Sequence, residues 1–440
     1  MAANPAKNKE KTWVFFFLFL LFFAYYFQGI GNIGFTYWDE AIYINAARAY
    51  FVTGPPYPNP EHPPFGKILL ALGMNWFGDN PTGWRFFSVF FGALTTTLVS
   101  LIVYRLTKNL GVALFVAFLL FLDPLWVVHF RMGMLDAPIT ALLVLAALWT
   151  VSFFEARDPP YWKLILITAT LGLATSIKLL TLIMLPAYWG LIVYRHWGRP
   201  HPIKNITLVS ALFAGVIPLV FFWTFWVMGY SLAETVDLVR FNFAYHETAV
   251  GPAPFFSRWF EWLYIKNPVW YHTWLDGKGM GKGIMATGNF VLWIGAEIGT
   301  AYALIRKRRS PVIWFLFSLI AIQFLVYTQK HSTYIHYMTE ILPFLYILMG
   351  VAIGDLFKRY GSRYGTLLRI DFAIFALGAL VVFWNIHPYV WGKLVPAEKM
   401  RALYGLGKIP SPKTPETQPE TQAETLPQKE QTQGQEEKPD

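Results

Sequence analysis

Long apolar runs separated by short polar segments dominate the chain. The first run extends from Trp13 to Ile30 and is almost unbroken. Comparable runs follow near 83–104, 111–129, 133–154, 163–177, 179–194, 206–229, 288–305, 311–329, 333–356 and 370–387. Because a membrane-spanning helix needs about 20 apolar residues, the pattern predicts an all-α polytopic membrane protein with about eleven transmembrane helices.

The pair of runs at 163–177 and 179–194 could be read as one long helix. Lys178 lies between them, however, and a charged residue is costly within a membrane. We therefore predict two short helices that meet at a polar cavity. Merging them would place every later basic cluster on the opposite side of the membrane.

The basic residues indicate the orientation of the spans. The N-terminal segment 1–12 is rich in lysine, and basic clusters recur at alternate ends of the predicted helices. They comprise Arg105/Lys108, Arg157/Lys163, Arg195/Arg199/Lys204, Arg306 to Arg309, and Lys358/Arg359/Arg363/Arg369. Cytoplasmic loops carry an excess of Lys and Arg, so the N-terminus and all these clusters are predicted to be cytoplasmic.

This orientation divides the chain into four parts. We expect a cytoplasmic N-terminus (1–12), a transmembrane domain (13–390), a membrane-proximal segment (391–409) and a disordered polar tail (410–440). Two loops, 31–82 and 230–287, are predicted to lie outside the cytoplasm. Each contains a segment with mixed faces at helical spacing, 38–52 and 231–247, which could lie flat on the membrane surface.

Composition narrows the functional class. Of 440 residues, 55% are hydrophobic and only 14% are charged, whereas a soluble domain has roughly 25% charged residues. These values exclude a disordered chain and a nucleic-acid-binding module. The net charge of +10 is instead explained by basic residues that set the membrane orientation and contact anionic lipid head groups. The chain has no cysteine, which excludes disulfides, thiol catalysis and Cys-ligated metals.

Ionisable residues collect in the segments predicted to lie outside. Asp39 and Glu40 follow the first span; one of them could serve as a general base, or both could cap the next helix. His62 and Lys67 belong to a Pro-rich turn, HPPFGK, that suits a phosphate ligand, although a lysine that snorkels to the interface is the simpler interpretation. Arg85 begins the second span, where an arginine most often snorkels.

A second group interrupts the next pair of spans. Asp123, Arg131 and Asp136 could form a structural ion pair that closes a helical hairpin, or Arg131 could bind a phosphate as a planar fork. Lys178 lies away from the cytoplasmic ends, and His336 lies in a late apolar run. No HExxH, P-loop or dinucleotide motif is present, so we expect neither a zinc site nor use of ATP.

These charges on one membrane face fit the phosphate head group of a lipid whose tail stays in the bilayer. They fit less well a transport path, which needs polar groups on both faces and at the midplane. A transporter or flippase of a lipid-linked sugar nevertheless remains an alternative.

Several motifs together resemble the protein O-mannosyltransferase family, which belongs to the GT-C class of integral-membrane glycosyltransferases. They are the Asp-Glu pair, HPPFGK, Gly83-Trp84-Arg85, LDP followed by R and D, and GLATSIKLL. The resemblance implies GT-C architecture and inverting transfer of mannose or another hexose from a polyprenyl-phosphate carrier. It implies a hydroxyl acceptor on the extracytoplasmic face, either protein Ser/Thr or, in related enzymes, a lipid or cell-envelope glycan.

The candidate catalytic residues are Asp39 and Glu40. The candidate ligands of the donor phosphate are Lys67, Arg131, Lys178 and Arg85. The candidates for binding or orienting substrate are His62, Asp123, Asp136 and His336. Phosphate is already a good leaving group, so no cofactor or metal is expected to be required. The 230–287 loop is too short for the lumenal domain of the eukaryotic enzymes, which indicates a bacterial or archaeal type. We therefore expect an integral protein of the bacterial plasma (inner) membrane, with its active site on the extracytoplasmic side.

Overall fold

A computed structural model describes residues 5–34, 36, 38–248, 255–276, 278–328 and 333–404. The predicted polar tail, 410–440, lies outside these residues. The helices are α1 (Pro5–Phe27), α2 (Asp39–Ala49), α3 (Phe65–Phe77), α4 (Pro81–Thr107), α5 (Leu110–Phe121), α6 (Pro124–His129), α7 (Asp136–Glu155), α8 (Trp162–Thr175), α9 (Leu185–Trp197), α10 (Pro202–Val227), α11 (Leu232–Thr248), α12 (Phe290–Arg306), α13 (Pro311–Val326), α14 (Met338–Val390) and α15 (Ala397–Tyr404).

Short 3₁₀ helices occupy Ile30–Asn32, Leu179–Met184, Trp259–Tyr264 and Ile335–Tyr337. The strands are β1 (Val269–Leu275), β2 (Met280–Ala286) and β3 (Val395–Pro396), which form an antiparallel sheet in the order β1-β2-β3. Val269 pairs with Ala286, and Gly281 pairs with Val395.

The mostly helical membrane fold is confirmed. Within the described ranges, six helices are long and apolar enough to cross a membrane by length and composition. Four shorter apolar helices, α3, α5, α8 and α13, accompany them. The count of eleven spans stays a prediction.

The break at Lys178 agrees with the prediction. Helix α8 ends at Thr175, and Lys178 has an extended backbone (φ −141°, ψ 129°) before the chain turns helical again at Leu179. Two helical segments therefore replace one long helix, and the lysine lies at their junction.

The apolar run 111–129 was predicted as one span, but it forms two helices, α5 and α6. Pro124 disfavours a helical conformation at the residue before it. Asp123 takes an extended conformation and caps α6, accepting hydrogen bonds from the backbone N–H groups of Leu125 (3.0 Å) and Trp126 (3.4 Å). The length of an apolar run does not predict such a cap, so the break was missed.

The runs 333–356 and 370–387 were predicted as separate spans, and α14 consists of two helical parts that contain most of these residues. The parts meet at a kink at Tyr364, whose backbone is not helical (φ −126°, ψ 21°). The segments 38–52 and 231–247, which were predicted to lie outside the cytoplasm, do contain helices, α2 and α11. Helix α3 and the small sheet were not predicted.

Helices α7 and α4 and the first part of α14 form much of the interior, and their side chains there are mostly buried. Helix α4 packs against α1, α3, α5, α7 and α14. Most of α10, in contrast, is exposed, as expected for an apolar helix that faces lipid. The ends of α4 and α7, the α2 helix and the sheet surround the polar residues described next.

Candidate active site

The first turn of α2 has an unusual backbone. Trp38, which precedes it, has a positive φ of 53° (ψ −136°), a conformation that non-glycine residues rarely adopt. Its ring packs edge-on against Tyr271 (5.9 Å between centroids) and Tyr334 (6.1 Å), and these contacts hold the turn. Asp39 and Glu40 follow directly, and because neighbours on a helix point about 100° apart, they face different surroundings.

Glu40 forms a buried ion pair with Arg85. Its Oε1 and Oε2 accept hydrogen bonds from Arg85 Nε (2.7 Å) and Nη2 (2.9 Å), and Oε1 also accepts one from the Gly133 N–H (2.6 Å). Arg85 Nη1 donates to the carbonyls of Ile30 (2.9 Å) and Ile33 (3.0 Å). This pair thereby joins α2 to α4, to the end of the first span and to the loop before α7.

Asp39 has different surroundings. Within the described part of the chain, no hydrogen bond or ion pair reaches its carboxylate. Burial raises the pKa of Asp39 to about 6; Asp136 raises it further and Lys178 opposes the rise. The carboxylate is thus close enough to both groups to feel their charges, and it is ionised at neutral pH yet more basic than an exposed aspartate.

Lys178 connects two acidic residues from distant parts of the chain. Its Nζ lies 2.9 Å from Asp136 Oδ1, at the start of α7, and 3.0 Å from Glu340 Oε1, in the first turn of α14. A lysine ammonium has three N–H donors, and these contacts use two. The third is not used by the described residues, and 13% of the side chain is exposed.

Two histidines complete this cluster. The His129 Nδ1 lies 3.9 Å from Asp136 Oδ2, and its Nε2 is 2.9 Å from the hydroxyl of Tyr271 on β1. The His129 and His336 rings stack with centroids 5.4 Å apart. Three buried atoms here lack a hydrogen-bond partner among the described residues: His129 Nδ1, His336 Nδ1 and Glu340 Oε2. Such unpartnered polar atoms are rare in folded proteins and require an explanation.

Sequence reasoning did not identify His129, Glu340 and Tyr271 as site residues. Glu340 carried a usable signal, because an acidic residue inside an apolar run is a functional candidate. His129 and Tyr271 carried none, since they reach the cluster only through the packing of α6 and the sheet. We define the polar cluster as Asp39, His129, Asp136, Lys178, His336 and Glu340.

The HPPFGK loop folds around Lys67. The Lys67 Nζ donates to the carbonyls of Asn59 (2.5 Å) and His62 (2.8 Å), and the side chain is buried. The Phe65 N–H donates to the Ser176 carbonyl (2.9 Å), which attaches the loop to the residues just before Lys178.

Two further features keep this loop close to the polar cluster. A Cβ on Gly66 would lie 2.6 Å from Leu135 Cδ2 and 3.2 Å from Ile177 Cγ2, so glycine lets the loop lie directly against these two side chains. The His62 ring packs edge-on against Tyr43 of α2, with centroids 5.7 Å apart. Burial lowers the pKa of Lys67 to about 7, and Glu61 partly opposes this shift.

Arg131 lies at the end of α1. Its Nη1 donates to the carbonyls of Tyr26 (2.7 Å) and Gln28 (2.6 Å), and its guanidinium lies 4.9 Å from the centroid of the Trp391 ring. It therefore satisfies carbonyls that a helix end leaves without partners. Arg131 and Arg85 line the same narrow gap beside the end of the first span.

Asp123 lies at the junction of α5 and α6. In addition to capping α6, its Oδ2 accepts hydrogen bonds from Trp293 Nε1 (2.8 Å) on α12 and the Tyr346 hydroxyl (2.8 Å) on α14. The carboxylate is fully buried and has four donors, so its geometry is that of a structural connection between helices. Among the described residues, no group of three or more His, Asp or Glu side chains is arranged to hold a metal ion.

Comparisons with known proteins agree on the fold. Residues 61–227 match the family model described as dolichyl-phosphate-mannose-protein mannosyltransferase. The chain is 23% identical to a polyprenol-phosphate-mannose–protein mannosyltransferase of Corynebacterium glutamicum over 82% of this chain and 83% of that protein. A segment covering 19% of this chain is 38% identical to 16% of the Mycobacterium tuberculosis protein of the same name.

Two solved structures extend the similarity to nearly the whole chain. One is the Saccharomyces cerevisiae protein O-mannosyltransferase Pmt1-Pmt2 complex bound to the sugar donor (TM-score 0.74, 12% identity, 89% of this chain and 91% of that chain). The other is ArnT from Cupriavidus metallidurans bound to undecaprenyl phosphate (TM-score 0.61, 16% identity, 87% and 77%). The chain therefore has the GT-C fold.

Proposed function

We propose that this chain, a protein O-mannosyltransferase-like integral-membrane glycosyltransferase of the GT-C class, moves mannose from a polyprenyl-phosphate carrier to a protein Ser or Thr hydroxyl on the extracytoplasmic face of a bacterial plasma membrane. One observation carries the proposal. Of two adjacent carboxylates, Glu40 is engaged by Arg85, whereas Asp39 accepts no hydrogen bond within the described residues and is close enough to Lys178 to interact with its charge. The choice of mannose and of a polyprenyl-phosphate carrier follows the similar mannosyltransferases.

Asp39 acts as the general base. It takes the proton of the acceptor hydroxyl while the hydroxyl oxygen attacks the anomeric carbon of the donor. A base with a pKa of about 6 is ionised at neutral pH and accepts a proton more readily than an ordinary aspartate. Such proton transfer typically contributes a rate factor of about 10²–10⁴.

Lys178 receives the leaving phosphate. The bond between the anomeric carbon and the phosphate oxygen breaks as the new glycosidic bond forms, and the anomeric configuration inverts. The third N–H of Lys178 is available to the phosphate oxygen that gains charge, and Asp136 and Glu340 hold the ammonium in position. Electrostatic stabilisation of this kind is usually the largest catalytic contribution.

The sugar fits between the polar cluster and the aromatic rings beside it. The Nδ1 atoms of His129 and His336 and the Glu340 Oε2 need partners, and sugar hydroxyls can supply them. Trp38 and Tyr334 present apolar ring surfaces next to these atoms. Ligand sites commonly combine aromatic walls with a few polar groups in this way.

Several other candidates are assigned positioning roles. Glu40 and Arg85 fix the first turn of α2, so they set the direction of Asp39 without contacting substrate. Arg131 caps α1, and Asp123 joins α6 to α12 and α14. Lys67 holds the HPPFGK loop against the residues preceding Lys178, because its ammonium is occupied by the loop's own carbonyls.

A transfer assay tests the proposal. Purified full-length protein receives polyprenyl phosphate carrying radiolabelled mannose, together with a Ser/Thr-rich peptide, and the label in peptide and lipid fractions is counted. The matched control peptide has alanine at each Ser and Thr. We expect label in the Ser/Thr peptide alone, none with Asp39→Asn, and an inverted anomer by NMR.

The other outcomes separate the competing functions. Label in an added glycolipid but not in the peptide would replace the protein acceptor with a lipid or cell-envelope glycan. Movement of intact labelled donor across vesicle membranes, without a new glycosidic bond, would contradict the proposed transfer reaction altogether.

A further inference from the structure

An open groove lies between α9 and α13, away from the polar cluster. It has a volume of about 690 Å³ and runs from Pro186 to Tyr194 on α9, opposite Pro311 to Ser318 on α13. Eight helical steps span about 12 Å, so the groove extends over about 12 Å of α9. The end of the groove that Arg308 and Arg309 line is near the C-terminal end of α9. Lys178 precedes the N-terminal end of α9, so it lies toward the opposite end of that helix.

The groove has cations at one end only. Arg308 and Arg309 line it there, and both side chains are exposed. Within the described residues, neither guanidinium donates a hydrogen bond or forms an ion pair, whereas the neighbouring Lys307 pairs with Asp355 (2.7 Å). The α13 N-terminus, which begins at Pro311, adds a partial positive charge to the same end.

The backbone of Arg308 is held against α13. Trp314 Nε1 donates to the Arg308 carbonyl (2.8 Å), which ties the loop before α13 back onto that helix. Trp314 and Tyr194 both line the groove near this end. Because Trp and Tyr rings prefer the membrane–water interface, we expect this end to lie at the interface. The remainder of the wall is mainly apolar, and a Cβ added to Gly190 would meet open space.

We propose that this groove binds one anionic phospholipid from the leaflet opposite the polar cluster. The phosphate lies against Arg308 and Arg309, and an acyl chain follows the apolar wall past Gly190. Basic pockets between transmembrane helices are suited to anionic head groups, and the single charged end of the groove matches the single charged end of a phospholipid. The site is separate from the proposed donor site, so its existence does not depend on the transfer reaction.

Native mass spectrometry of the full-length protein tests this site. The protein is titrated with phosphatidylglycerol or with phosphatidylcholine of identical acyl chains. We expect phosphatidylglycerol to bind at least tenfold more tightly. The double variant Arg308→Gln/Arg309→Gln should bind it about 30-fold more weakly, in line with the roughly fivefold effect of one cation near an anionic lipid.

Two further variants distinguish a groove from general surface charge. Gly190→Leu keeps both arginines but fills the groove, so it should also weaken phosphatidylglycerol binding. Lys358→Gln/Arg369→Gln removes the same number of charges from the same predicted face outside the groove and should change affinity less than threefold. Equal binding of the two lipids, or equal effects of the two double variants, would overturn the proposal.

Discussion

The adjacent carboxylates Asp39 and Glu40 should respond in opposite ways to neutralisation. Asp39→Asn replaces a carboxylate that accepts no hydrogen bond within the described residues. Glu40→Gln weakens a buried ion pair and leaves the Arg85 charge without its counter-ion. We therefore expect the first variant to lose activity but not stability, and the second to lose stability.

The structure gives the size of each effect. The pKa of Asp39 rises from 3.8 to about 6 in the folded protein, so its charge lowers the free energy of unfolding by about 3 kcal/mol once the pH exceeds about 6. The folded state binds this proton more tightly than the unfolded state does. The free energy of unfolding therefore falls as the pH rises from 3.8 to about 6. An uncharged Asn avoids this cost.

Neutralising Glu40 should lower the free energy of unfolding. Removing one partner of a buried ion pair typically costs about 3–5 kcal/mol, because the remaining charge has lost its counter-ion in a poorly solvated site. Turnover, in contrast, should fall more in Asp39→Asn than in Glu40→Gln. Asp39→Asn should reduce turnover by about 10²–10⁴-fold, the usual contribution of a general base.

Both quantities can be measured on the same detergent-solubilised samples. Thermal unfolding at pH 7.5 should show Asp39→Asn at or above the wild-type temperature and Glu40→Gln clearly below it. Mannose transfer per folded molecule should fall below 1% for Asp39→Asn and stay within about tenfold of wild type for Glu40→Gln. An active Asp39→Asn variant, or one that unfolds more readily than Glu40→Gln, would refute the division of roles.

Three further outcomes are expected. Because Asp39 must be ionised to accept a proton, kcat/KM should rise with pH and level off with an apparent pKa of about 6; a flat profile between pH 5 and 8 would exclude it as the base. Lys178→Gln should weaken inhibition by free polyprenyl phosphate by about 10–100-fold, which corresponds to loss of one charge-assisted hydrogen bond; an unchanged inhibition constant would place the phosphate elsewhere. Asp123→Asn should lower the free energy of unfolding by about 1–3 kcal/mol, because this buried carboxylate has four donors, while kcat per folded molecule is retained; the reverse pattern would indicate a direct role in catalysis.

Much of the fold could be predicted because the signals are local. The length of an apolar run predicts a spanning helix, and Lys178 marked the junction of two helical segments. The amphipathic pattern of 38–52 predicted the helix that carries Asp39. The break at Asp123 was missed because a cap consists of one side chain and two backbone groups, and apolar length takes no account of them.

The partners of the charged residues could not be predicted, since they are far apart in sequence. Arg85 pairs with Glu40 across 45 positions, and Arg131 reaches the Tyr26 carbonyl across 105. From sequence, both arginines were candidates for binding phosphate. The structure shows protein carbonyls or carboxylates around them, and only helix packing determines such contacts. Glu340 joins Lys178 across 162 positions for the same reason.

The central claim is that Asp39 and Lys178 act on the same donor molecule. A cryo-electron microscopy structure of the inactive Asp39→Asn variant with polyprenyl-phosphate mannose bound would test it most directly. We predict a phosphate oxygen within about 3 Å of Lys178 Nζ, and the anomeric carbon beside residue 39 with its open face toward that side chain. A phosphate bound instead against Arg131, or a mannose on the far side of the Glu40–Arg85 pair, would contradict the account.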